Sequence, residues 1–96
     1  MHVPPGIKTF NFHSFDKNLE YFSALMKRYS SRIALVLSGH IHGYAAVEED
    51  GVKYIISGGA GAPLTSSREG IIGKYNYVLV DVAHGNVSHS VKFMDK

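Results

Sequence analysis

Gly39-His40-Ile41-His42 is the segment whose residue types and spacing could do chemistry. Imidazole nitrogen is a common ligand for divalent metals. Two histidines separated by one residue point to the same side of an extended backbone, roughly 6.5–7 Å apart. Two imidazoles so placed can hold one cation, or each can take one of two cations about 3.5–4 Å apart. Gly39 lets the chain turn sharply and lets another group approach the backbone closely. The motif also stands just beyond an apolar run, Ile33-Ala34-Leu35-Val36-Leu37. The carboxyl end of a buried strand is where open α/β sheets place their ligands.

The elements that must position this motif follow from periodicity. The run 33–37 predicts a short strand buried on both faces, ending at Ser38-Gly39. Ahead of it, Leu19, Phe22, Leu25, Met26 and Tyr29 fall at helical spacing, which predicts a helix from about Phe15 to Ser30. Ser14 is its expected N-cap, with Asp16 in the first turn and Lys27 and Arg28 at the dipole's negative end. Before the helix, Pro4, Pro5 and Gly6 forbid helix and interrupt any strand ladder. After the motif, two hairpins are expected. Tyr44–Glu48 and Val52–Ser57 flank Glu49-Asp50-Gly51, and Tyr75–Val82 and Val87–Met94 flank Ala83-His84-Gly85-Asn86. Between them, 58–73 reads as a loop rich in Gly, Ser and Thr. One helix, one strand and two mainly antiparallel hairpins make an α+β domain spanning 1–96.

Three segments taken together resemble the C-terminal part of the calcineurin-like metallophosphoesterases. They are Met1-His2-Val3-Pro4-Pro5, the run from Leu35 through Gly39-His40-Ile41-His42-Gly43, and Tyr54-Ile55-Ile56-Ser57-Gly58-Gly59-Ala60-Gly61-Ala62-Pro63. In that family a lone His after a strand and a later Gly-His-x-His are the last two of five metal-site motifs. The resemblance implies the C-terminal half of a metallophosphoesterase β-sandwich. It implies that His2 and His40 coordinate one metal of a binuclear pair and His42 the other. It further implies a hydrolase that uses two divalent cations on a phosphoester substrate, the cations activating water and neutralising charge on the attacking and leaving oxygens. Imidazole ligation is compatible with Mn, Fe or Zn.

The family's earlier motifs, Asp-x-His, Gly-Asp-x-x-Asp and Gly-Asn-His, would stand upstream of His2. No substitute for them occurs here: Gly85-Asn86 is followed by Val87, and none of the eight acidic residues lies in Asp-x-His. The bridging carboxylate, the Asn ligand and the catalytic His are therefore expected from outside this stretch, and the chain alone is expected to be inactive and to hold one cation or none. A cloned fragment, a truncated product and half of a split protein all fit this expectation. A chain lacking those strands should expose apolar faces and strand edges, which predicts a homo-oligomer. The competing expectation is a β-rich module that associates with itself or a partner and does no chemistry.

The remaining candidates read more plainly. His13 beside the helix start is expected at the surface or capping, His84 solvated in a turn, and His89 half-buried on a strand face with Val87, Val91 and Phe93. Gly58–Pro63 could cradle a phosphate, but it lacks the Gly-Lys-Ser/Thr ending of a P-loop, so a turn or site rim is the better reading. Arg68, Lys74 and Tyr75 are expected to be solvated. A cupin-type metal barrel is disfavoured by the preceding helix and by the five residues between His42 and Glu48.

Composition excludes several other classes. At 45% hydrophobic and 19% charged, the chain can build a core. Cysteine is absent, which rules out disulfides, Fe–S clusters and thiolate zinc sites. The ten Lys and Arg against eight Asp and Glu are dispersed, so no nucleic-acid surface is expected. No apolar run reaches a membrane span's roughly 18–20 residues. Met1–Gly6 lacks the regions of a signal peptide, which makes the expected location cytoplasmic.

Overall fold

The β-branched and aromatic residues after position 34 form two small sheets, and one short helix closes the first of them. The computed structural model describes residues 1–6, 14–68 and 70–95. Its elements are α1 (Leu19–Arg28), a 3-10 turn (Ser30–Arg32), β1 (Leu35–Ser38), β2 (Tyr44–Glu49), β3 (Val52–Ser57), β4 (Tyr75–Ala83) and β5 (Asn86–Met94). The fold is α+β, as the periodicity predicts.

Strand β3 is the centre of the first sheet, whose order is β1-β3-β2. It pairs antiparallel with β2, and parallel with β1 in the register Val36↔Tyr54 and Leu37↔Ile55. Alternation along β3 sorts its side chains between two layers. Val52, Tyr54 and Ile56 join Ile41, Ala45 and Ile71 in the core, against which Leu19, Phe22 and Met26 of α1 are packed. Phe22 holds the helix there, with its ring 6.5 Å from Tyr54 and in edge contact with Phe15 at 5.4 Å. Ile55 and Ser57 point the other way, toward the second sheet.

That second sheet is the β4–β5 hairpin, in the register Val78↔Val91 and Val80↔His89. It is held on the first sheet at one end. Asn76, only 2% exposed, accepts a hydrogen bond from Ser57 Oγ (2.7 Å), donates one to the Lys74 carbonyl (2.9 Å), and bonds through its backbone N–H to the Gly59 carbonyl (2.9 Å). Tyr44 of β2 meets the ring of Phe93 edge-on at 5.7 Å and lies 3.2 Å from His89 Nε2. Toward its turn the hairpin leaves Leu79, Val80 and Val82 exposed. Both hairpins turn through two residues of positive φ, Asp50-Gly51 (51°, 80°) and His84-Gly85 (51°, 79°). This is the type I′ geometry that matches strand twist.

Three expectations are corrected. The helix is shorter at both ends than 15–30, and its N-cap is Asn18 at φ 63°, not Ser14. The amide of Leu19 bonds the Asp16 carbonyl in a tight turn, and Asn18 tolerates the left-handed conformation that delays the helix to Leu19. The strand occupies 35–38, not 33–37, because Ile33 and Ala34 follow the 3-10 turn outside the ladder. Nor is β1 buried on both faces: it is an outer strand of its sheet, and Leu37 is 46% exposed. Among the described residues, no helix is long and apolar enough to cross a membrane.

Candidate metal centre

The site begins where β1 ends. The backbone of residues 1–2 lies along β1, with the Met1 nitrogen donating to the Leu37 carbonyl (2.8 Å) and the Gly39 amide to the His2 carbonyl (2.9 Å). Pro4 and Pro5 just behind are buried, which fixes the segment from its other end. His2 is thereby held against the start of the Gly-His-x-His motif.

The motif itself is not extended. His40 has φ 67°, and two successive bends follow, the Ile41 amide bonding the Gly39 carbonyl (2.7 Å) and the Gly43 amide the Ile41 carbonyl (2.9 Å). The bends drive Ile41 into the core at 1% exposure. The same-side argument for residues i and i+2 therefore fails, and each imidazole of the pair finds a different neighbour.

His40 meets His2. Their ring centroids are 5.1 Å apart, with planes inclined at 71°. A metal–nitrogen bond of about 2.0–2.1 Å at a roughly tetrahedral angle puts two imidazole centroids on one cation roughly 5 Å apart. The pair's 5.1 Å spacing is compatible with that arrangement and is equally an ordinary edge-to-face ring contact. His42 is held elsewhere. Its Nδ1 lies 2.7 Å from the Pro63 carbonyl, and its own carbonyl accepts from the Thr65 amide (3.0 Å). Among the described residues, no group of three or more His, Cys, Asp or Glu side chains could together hold a metal ion. Among the described residues, the pair His2 and His40 is what the fold brings together.

The other candidates are dispersed. His84 sits exposed in the β4–β5 turn, and His13 lies outside the described residues. His89 is half-buried between the sheets; Tyr44 engages its Nε2, and its Nδ1 is buried with no hydrogen-bond partner among the described residues. Lys74 Nζ is 5.9 Å from the ring of Phe93, and Arg68 pairs through its backbone with Ile71. The segment 58–63 turns out to contain a partner for His42, the Pro63 carbonyl, which no side-chain pattern in the sequence could show. Asn76 was likewise not visible as an anchor, since a lone Asn in an apolar strand carries no period of its own. Burial raises the phenol pKa of Tyr44. Burial also raises that of Tyr54, with Glu49 and Asp50 adding to the effect.

A cleft of about 440 Å³ lies beside the end of β1, lined among others by Met1, Leu37, Gly39, Ile55, Val78 and Val80. Its walls are the outer side of β1 and the inner face of β4. Compared with protein-family models, curated proteins and solved structures, the chain gives no match.

Proposed function

We propose that this chain is the histidine-bearing C-terminal region of a metal-dependent phosphoesterase, supplying ligands to a centre of two divalent cations (Mn, Fe or Zn). The observation that carries the reading is the His2–His40 pair, two residues far apart in sequence whose rings stand 5.1 Å apart at the carboxyl end of β1. In this reading His2 and His40 share one cation, and His42 contributes to the second. When bound, such cations lower the pKa of water and offset negative charge on a phosphoester. The chain's own part is to hold its imidazoles at fixed positions, through the backbone bonds of Gly39 and Thr65. The bridging carboxylate comes from outside the stretch 1–96.

Calorimetric titration with Mn²⁺ tests this. Saturable binding is expected, weakened about tenfold or more in His40→Ala, in line with the loss of a ligand. Turnover of a chromogenic phosphodiester in excess Mn²⁺ is expected to stay at the level of His42→Ala. Binding that is unchanged in His40→Ala would overturn the reading.

A second reading, a self-associating β module without chemistry, is favoured by one observation. The far end of the β4–β5 hairpin exposes Leu79, Val80, Val82 and Val87, and Leu37 is exposed across the cleft. Apolar surface of this kind marks interaction sites. The two readings are compatible, since association could bury the hairpin and leave the histidines at the end of β1.

A further inference from the structure

Resting on the metal-centre reading, we infer that the loop after β3 is a positioning element that sets the tautomer of His42 through the Pro63 carbonyl. A carbonyl oxygen only accepts, so the 2.7 Å contact places the proton on His42 Nδ1. Neutral imidazole carries one N–H and one lone pair, so the lone pair is left on Nε2, the atom that could then face a cation. Fixing one ring nitrogen with a carbonyl is how an outer partner orients a ligating histidine.

The loop grips the same residue twice. Thr65 lies two positions beyond Pro63, and its amide bonds the His42 carbonyl at 3.0 Å. Side chain and main chain of His42 are thus both tied to 63–65. The loop in turn is backed by the segment returning to β4. Ile72 exchanges two backbone bonds with Tyr44 (2.8 and 2.9 Å), and the Gly73 amide bonds Ser67 Oγ (2.9 Å). At Gly73 there is no room for a side chain, because a Cβ would overlap the Thr65 carbonyl. Gly73 is therefore the residue that lets the return segment press the loop onto His42. The contacts described for Pro63 and Gly73 bear on His42 alone of the three imidazoles.

Two-bond ¹⁵N–¹H spectra of the metal-free chain read the tautomer directly. His42 is expected to show a protonated Nδ1 and an unprotonated Nε2, the reverse of the form that free imidazole side chains favour in water. In Gly73→Ala the displaced loop should release Nδ1, mixing the tautomers and weakening Zn²⁺ binding several-fold with His2 and His40 untouched. Pro63→Gly, a change at an exposed side chain, loosens the same carbonyl should the first variant fail to fold, and is expected to shift the tautomer in the same direction. A protonated Nε2 on His42 in the unaltered chain, or an unchanged pattern in both variants, would overturn the inference. A protonated Nδ1 without any Zn²⁺ binding would support the positioning role and overturn the metal reading on which it rests, so the two failures are distinguishable.

Discussion

His40 carries the site's clearest cost. A non-glycine residue at φ 67° gives up about 1–2 kcal/mol relative to its ordinary conformations. Strain of this kind persists where the surrounding structure over-determines it, as it does at functional sites. Here the over-determination comes from buried Ile41 and from the bonds that tie Gly39 to His2. A pair of variants that both lack the imidazole isolates the backbone cost. His40→Gly should be more stable than His40→Ala by about 1 kcal/mol, a reversal of the usual order of glycine and alanine. Urea denaturation midpoints check this, and the ordinary order would contradict the account. The place of the motif was legible in the sequence: the apolar run before Gly-His-x-His predicts a strand ending just ahead of it, and β1 does end there. The spatial arrangement was not legible, because alternation assumes an extended backbone and the burial of Ile41 bends it. His2 and His40 become neighbours only through pairing of residues 1–2 with β1, a long-range contact.

At the scale of elements, the β4–β5 hairpin depends on Asn76. Its amide group satisfies Ser57 and Lys74 in a setting almost closed to water. Asn76→Ala leaves those partners with one bond fewer and should cost about 1–3 kcal/mol. Amide hydrogen exchange is expected to accelerate across 75–94 before it does across 52–57; uniform acceleration of both sheets would contradict the hairpin's separate attachment. Both hairpins were legible because Asp50-Gly51 and His84-Gly85 are turn pairs with one conformation to offer. The helix boundaries were less so. Ser14 has the right chemistry for a cap, but the Asp16–Leu19 turn and the left-handed Asn18 start the helix a turn later. The run 33–37 read as a fully buried strand, since continuous hydrophobicity cannot tell a central strand from an outer one whose open face looks into a cleft.

Across the whole molecule, two consequences follow. The hairpin's apolar end should drive self-association, and Val82→Lys, at a position 73% exposed, should reduce it without loss of stability. Light scattering after size-exclusion chromatography checks this, and a clean monomer at tens of micromolar for the unaltered chain would contradict it. The second consequence concerns alkali. Tyr44 and Tyr54 have folded pKa values raised above the ordinary value of about 10, chiefly by burial. The fold thus favours the neutral phenols, and their contribution is complete below about pH 10 and lost as pH rises through the higher folded values. Unfolding midpoints should fall above about pH 10, and less steeply in Tyr54→Phe. The proposed metal-bearing role is tested most directly by a Zn²⁺ titration followed at each histidine ring by NMR. The account predicts saturable shifts at His2, His40 and His42 with His84 and His89 unmoved. Signals of His2 and His40 that stay in place at saturating Zn²⁺ would contradict it.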